Sequence, residues 1–483
     1  MIQSMKRRIQ KMRRHDTAGP TKAQTIAELK ASGYKPVPVK EEMRRNLIPM
    51  IKARREVFPG IIGYSDTVIP QIENAIISGQ DIIFLGERGQ AKSRLMRSLV
   101  NLLDEEIPVM KGCEINDNPF APICRQCRDT LSKKGNDAEI AWLPRQQRYG
   151  EKLATPDITI ADLIGDVDPI KVAEGRYLSD ELTIHYGLIP RTNRGIFAIN
   201  ELPDLAERLQ VGLFNLMEES DIQIRGYRVR LPLDVYLVAS ANPEDYTNRG
   251  RIITPLKDRF GAQARTHYPV TIEDELSIME MERRQFGEDE VERYMPPYMK
   301  EIIAEVTHLA RKSPDINQSS GVSVRISIAN YETALSNAIR RAVVLQEKLA
   351  VPRISDLYHI HSSTAGKIEL ESFEDTKEDK IIDDLIKKAV LNVFNRYCEL
   401  DKLEVLLAPF GEGLVVEVSD MLDCQSYLGL LGKVSGLQEM VTRMNNPEKP
   451  EAIASAMEFI LEGLYVNKKL TKTSVEGKTV YRR

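Results

Sequence analysis

Apolar positions along the chain follow two patterns. Short unbroken runs stand at Ile82-Ile83-Phe84-Leu85, Ile107-Pro108-Val109-Met110, Ile196-Phe197-Ala198-Ile199 and Leu233 to Ser240. Runs this short, bounded by polar or glycine-bearing segments, read as buried strands. Between them, apolar residues recur at helical spacing, as with Ile69, Ile72 and Ile76 within Asp66 to Ser78, and again over Leu205 to Glu219. Ile222 to Arg230 suits a hairpin, and a last strand is expected near His267-Tyr268-Pro269. Beyond residue 271 the pattern turns helical, with long amphipathic stretches at Met299 to Arg311 and Ile326 to Leu349. The charged run Glu371 to Lys388 reads as a linker or a solvated helix, and Thr471 to Tyr481 as a closing hairpin.

The first apolar run leads into Gly86-Glu87-Arg88-Gly89-Gln90-Ala91-Lys92-Ser93 and then a helical pattern. A strand, a glycine-bearing loop and a helix opening on Lys-Ser form a phosphate cradle, in which backbone N–H groups face the phosphates. Lys92 then bridges the β- and γ-phosphates of ATP, and Ser93 ligates Mg²⁺. Ala91 stands where the motif has its second glycine. Alanine is the smallest side chain able to replace it.

Length predicts two or three domains. Neither the 42% hydrophobic nor the 29% charged content departs from what a globular protein carries. No apolar run of about 18 residues occurs, so no transmembrane segment is expected. No apolar stretch follows the basic N-terminus, so no signal peptide is expected. Residues 1 to 55 hold 15 Lys/Arg against 4 Asp/Glu. There Met5, Ile9 and Met12 fall between basic residues at helical spacing, giving either an amphipathic helix for a partner or anionic surface, or a solvated tail. Residues 21 to 56 read as a helix or two interrupted at Pro36 and Pro38. Five cysteines, unevenly placed, predict a reducing cytoplasm rather than a disulfide framework. Cys113, Cys124 and Cys127 offer three thiolates, one short of a four-ligand zinc site. His185 completes that set only if the fold brings it near, and the other reading is three free thiols.

The run Ile196 to Ile199 ends on Asn200-Glu201. A carboxylate at such a strand end polarises an attacking water, and the residue before it normally belongs to the Mg²⁺ shell. Asn200 lacks the charge of an aspartate, so restoring Asp there is expected to raise turnover or tighten Mg²⁺ dependence.

The order of Gly86 to Ser93, Arg194-Gly195-Ile-Phe-Ala-Ile-Asn-Glu201, Ala241-Asn242-Pro243 and Leu256-Lys-Asp-Arg259-Phe260 resembles an AAA+ ATPase core. More narrowly it resembles the magnesium chelatase I subunit and MoxR-type relatives, whose inserted strands around a helix match Leu153 to Pro169 with Tyr186 to Gly195. The resemblance covers roughly residues 57 to 365. It implies an α/β core with a parallel sheet flanked by helices, a helical lid and a mostly helical C-terminal extension. The implied boundaries are a basic arm at 1–56, the ATPase core at 57–271, the lid at 272–370 and the extension at 371–483. It also implies that Asn242 lies near the γ-phosphate, that Arg259 reaches a neighbouring subunit's nucleotide, and that Arg325 acts from the lid. Taken singly, Asn242 also suits a turn cap, Arg259 a pair with Asp258, and Arg325 a solvated helix face.

Three functions follow from these residues. The first is an ATP-driven ring, six subunits being the family's usual number, that remodels a protein partner, such as a von Willebrand A domain protein, or assists metal insertion. The second is a nucleotide-gated assembly module with little hydrolysis, which Asn200 favours. The third, an enhancer-binding transcription activator, lacks its Gly-Ala-Phe-Thr-Gly-Ala loop and a defensible helix-turn-helix, and no clear nucleic-acid site is expected.

Overall fold

The computed structural model describes residues 22–483, apart from 169, 171–172, 174–180, 220, 224–229, 244–249, 286, 288–290, 372–374, 399–403, 420, 435, 445–448 and 476–477. The basic pattern at Met5 to Met12 lies outside the described residues. From Lys22 onward the chain packs into the core rather than standing off as an arm. Its helices Ile26–Ala31 and Val39–Lys52 are separated at Pro36 and Pro38. They bury Leu29 on one side of the central sheet and Val39, Met43 and Leu47 on the other.

The strands run, in chain order, β1 (Ile82–Leu85), β2 (Glu106–Met110), β3 (Ile140–Pro144), β4 (Tyr149–Leu153), β5 (Gly165–Val167), β6 (Ile184–Tyr186), β7 (Gly195–Asn200), β8 (Asp221–Gln223), β9 (Arg230–Pro232), β10 (Val235–Ala241) and β11 (Ala262–Arg265). Five of them form a parallel sheet in the order β11-β1-β10-β7-β4. Every residue of β1 and β7 is buried, because helices cover both faces. The last strand lies slightly before the expected His267-Tyr268-Pro269. The run Ile107 to Met110 is a strand, but it pairs antiparallel with β3 outside this sheet. Its place beside β7 is taken by Tyr149-Gly-Glu-Lys-Leu, whose polar residues mask it as a sheet strand. The helix Ile160–Leu163 and the antiparallel pair β5/β6 form the described part of the insertion, and β8 pairs with β9 as a hairpin.

Glu42 and Arg148 clamp the N-terminal segment to this core. Both are buried, and the guanidinium meets the carboxylate at 2.6 and 2.7 Å. Removing either partner would strand the other charge, a loss of about 3–5 kcal/mol.

Beyond the sheet stand the helices Pro297–Ala310 and Arg325–Leu345, in the segment expected as the lid and called so below. The charged run beginning at Glu371 is not a linker: it leads into the helix Asp375–Tyr397, which turns Ile382, Leu385, Ile386, Ala389, Val390, Val393 and Phe394 inward. Those residues share one hydrophobic core with Tyr298, Ile302 and Val306 of the lid and with Phe459 and Leu464 of the helix Pro450–Val466. Tyr298 stacks on Phe459 at 4.5 Å between ring centroids, and Tyr298 and Ser455 hydroxyls hydrogen-bond at 2.7 Å. The expected closing hairpin, Thr471–Val475 with Lys478–Arg482, carries Val416–Val418 as a third strand.

Candidate functional site

The parallel strands end together, which gathers their C-terminal residues along one edge. In register, Leu85 stands beside Ala241, and Ala239 beside Ile199. Gly86, Asn242 and Asn200-Glu201 therefore leave the sheet as neighbours. A cleft of about 800 Å³ opens there, lined by Arg88 to Arg94, Glu201, Tyr64 and the lid residue Arg325.

The loop is held by its own side chains. The buried Gln90 Oε1 accepts from the Glu87 N–H at 3.0 Å and from Thr266 Oγ1 at 2.7 Å, and Tyr268 Oη donates to the Arg88 carbonyl at 2.8 Å. A Cβ on Gly86 would stand 2.0 Å from Thr266 Oγ1, and one on Gly89 1.9 Å from Ser323 Oγ of the lid. Gly89 also sits at φ +77°, where a side chain is strained. Ala91 takes the left-handed region as well, at φ 57° and ψ 15°. A loop built for glycine at that position thus carries alanine under strain of about 1 kcal/mol.

Lys92 Nζ lies along the inside of the loop, donating to the Gly86 and Glu87 carbonyls at 2.5 and 2.8 Å. Ser93 Oγ donates to Asn200 Oδ1 at 3.0 Å, which also accepts from Ser240 Oγ at 3.2 Å. Asn200 Nδ2 in turn donates to Glu151 Oε1 at 2.6 Å. Arg97 grips the same carboxylate with two bonds of 2.7 and 2.9 Å. These bonds hold the Glu151 carboxyl below the usual carboxylate range. Glu151 was invisible in the sequence, since only the pairing of β4 with β7 brings it to Asn200. The same chain of contacts shows that the charge Asn200 lacks stands one side chain away.

Glu201 takes a left-handed backbone, φ 56° and ψ 50°, and its N–H donates to Ser240 Oγ. A non-glycine residue there stores strain that the surrounding strands over-determine, as is common at functional positions. Asn242 is buried at the end of β10. Arg325 lines the cleft at the start of the lid helix. Arg259 lies apart: it bonds Glu218 at 2.9 Å and Asp258 at 3.2 Å, over the ring of Phe214.

The cysteines expected as three ligands do converge, with an acid as the fourth member. One ligand atom from each of Cys113, Asp117, Cys124 and Cys127 lies within 4.8 Å of all the others. His185 is exposed, with its Nε2 3.4 Å from Arg191, and is not of this group.

The strand order, the loop and the acid at the end of β7 have the arrangement of a P-loop core like that of AAA+ proteins. No protein-family model matches the chain. It is similar to the magnesium-chelatase subunit ChlI of Nostoc sp. (strain PCC 7120 / SAG 25.82 / UTEX 2576), 28% identical over 291 residues, covering 57% of this chain and 72% of that protein. The ChlI subunit of Anabaena variabilis is 27% identical over 257 residues, 51% and 70% of the two chains. A ChlI homolog of Methanocaldococcus jannaschii is 28% identical over 214 residues, 42% and 53%. Among solved structures, a chain from a model of the complex between subunits BchI and BchD of magnesium chelatase is 19% identical, with a TM-score of 0.35, over 67% of this chain and 98% of its own. The sequence similarity to the ChlI subunits supports an ATPase of the magnesium chelatase I type. No described helix is long and apolar enough to cross a membrane.

Proposed function

We propose that this chain hydrolyses ATP as one subunit of a ring and uses the cycle to remodel a protein partner. The observation that carries the reading is one cleft that joins the loop Arg88 to Ser93, Glu201 and the lid's Arg325. Its residues fit a nucleotide: Gly86 and Gly89 let the loop pack against Thr266 and Ser323 in the turn that aims its N–H groups at a phosphate, and Lys92 adds a cation. Mg²⁺, when bound with ATP, neutralises phosphate charge. Ser93 would hold it directly, and Asn200 from its outer shell. Glu151, bonded to Asn200, returns to that shell the negative charge that an aspartate would carry.

Glu201 orients the attacking water and takes its proton. Asn242 and Arg325 serve the γ-phosphate in cis. Arg259 does not line its own cleft, and released from Glu218 and Asp258 its cation would serve the nucleotide of the next subunit; a head-to-tail contact of that kind closes by rotation into a ring, taken as hexameric from the resemblance. The partner is expected to be a von Willebrand A domain protein, and assistance in metal insertion is the finer form of the same reading.

A second reading, nucleotide-gated assembly with little hydrolysis, draws on Asn200. Steady-state ATPase measurement separates the two. Arg259→Ala and Glu201→Gln are each expected to bind ATP without hydrolysing it, and their mixture to recover activity, because some interfaces then pair an intact Arg259 with an intact Glu201. Inactive mixtures in proven mixed rings would remove the trans role of Arg259. A wild-type ring that forms without turnover would favour the second reading.

A further inference from the structure

One buried polar group outside the nucleotide cleft is Asp117. Its side chain is fully buried, Oδ2 accepts from the Ile123 and Cys124 N–H groups at 3.2 and 3.0 Å, and Oδ1 has no hydrogen-bond partner. A buried carboxylate oxygen without a partner is costly, about 1–3 kcal/mol or more. Beside it stand the sulfurs of Cys113, Cys124 and Cys127, two of them on buried residues.

We propose that Cys113, Asp117, Cys124 and Cys127 bind one structural Zn²⁺ ion. Metal–sulfur bonds of ~2.3 Å in a tetrahedron place ligand atoms roughly 3.8 Å apart. The four ligand atoms already lie within 4.8 Å of one another, a contraction that side-chain rotation can supply. The sulfur-rich set selects zinc over magnesium or calcium. A bridged iron–sulfur cluster would need its ligands farther apart than a single ion does. Binding breaks three S–H bonds, forms three Zn–S bonds and one Zn–O bond, and sends three protons to solvent. With four protein ligands the ion keeps no open position, which assigns it to structure rather than catalysis.

The surroundings are those of a ligand shell. The Asp117 N–H donates to Cys113 Sγ and the Cys127 N–H to Cys124 Sγ, each at 3.4 Å, offsetting thiolate charge. Cys124 caps the helix Arg125–Lys134, and Cys127 lies in its first turn. Cys113 follows a turn at Gly112, and the loop closes where the Met110 N–H meets the Asp117 carbonyl at 3.1 Å. From Cys113 to Cys124 the chain forms no helix or strand. Such a stretch orders poorly by itself, and an ion joining its two ends would fix it. Asn116 donates to the Arg191 carbonyl at 2.8 Å, and Asn193 to the Ile115 carbonyl at 3.0 Å. The ion would therefore brace the turn that feeds β7, and with it Asn200 and Glu201.

The test is elemental analysis of the full chain, purified without added chelator, with cobalt-grown protein read by absorption. Roughly one zinc per chain is expected, falling below about a tenth in Cys113→Ser or Cys127→Ser and retained in Cys398→Ser, Cys424→Ser and Asp117→Cys. Cobalt-grown wild type should show thiolate-to-cobalt charge transfer and the intense visible bands of a tetrahedral ion, a readout that stands even if a serine variant fails to fold. Wild type without stoichiometric zinc, iron with labile sulfide in its place, a disulfide among the three cysteines, or zinc retained in both serine variants would each overturn the proposal. None of these outcomes depends on ATP turnover.

Discussion

The nucleotide cleft and the cysteine pocket are both polar clusters in an apolar core, yet they handle their polar atoms in opposite ways. In the cleft, Lys92 rests on two carbonyls, and Ser93, Asn200, Glu151 and Arg97 form a continuous chain of hydrogen bonds. In the pocket, Asp117 Oδ1 is closed off with no partner. A site that exchanges its ligand every cycle has to stand by itself between visits, whereas one that holds an ion for the life of the chain can leave the ion's share of the bonding undone. The scaffolds differ accordingly: parallel strand ends carry the cleft, and a loop without regular structure carries the pocket.

Lys92→Ala tests that self-sufficiency most severely. It should weaken ATP binding by about 2–3 kcal/mol, roughly 100-fold, because the ammonium is the loop's principal cation. Fluorescent-nucleotide titration reads the loss, and unchanged affinity would show that the cleft does not hold phosphate.

Asn200→Asp comes next, and here geometry adds a stability cost to the change in turnover or Mg²⁺ dependence expected from sequence. The new carboxylate would face Glu151 where an amide now donates at 2.6 Å, so like charges replace a hydrogen bond. Thermal unfolding without Mg²⁺ should show a loss of about 1–3 kcal/mol, recovered in Asn200→Asp with Glu151→Gln. A single variant as stable as the wild type would break the chain of contacts proposed for the cleft.

Ala91→Gly is the mildest change. Relief of the left-handed alanine should raise stability by about 0.5–1 kcal/mol, less than the strain itself because glycine is freer when unfolded. A lower melting temperature would argue that Ala91 is not strained.

What could be read from sequence was what neighbours in sequence dictate. Gly86 to Ser93 announces itself because strand, loop and helix are contiguous, and Asn200-Glu201 because a polar pair ends an apolar run. Glu151 could not be found that way, for its meaning lies in the register that sets Leu153 beside Asn200. The cysteines were visible but Asp117 was not, since one carboxylate among many carries no mark until burial singles it out. The helix Asp375–Tyr397 hid behind its charged first turns, although the spacing of Ile382, Leu385, Ile386, Ala389 and Val393 spells one apolar stripe.

That helix has a mechanical consequence. Because lid and C-terminal residues share one core, the piece of protein that meets the loop at Gly89 and Ser323 extends to the sheet closed by Lys478–Arg482. Packed interiors do not bend gradually, so such a piece turns as a whole. Arg325 lines the cleft at the start of that piece, so under the ATP cycle proposed above a tilt of the helix it opens would carry the C-terminal surface with it.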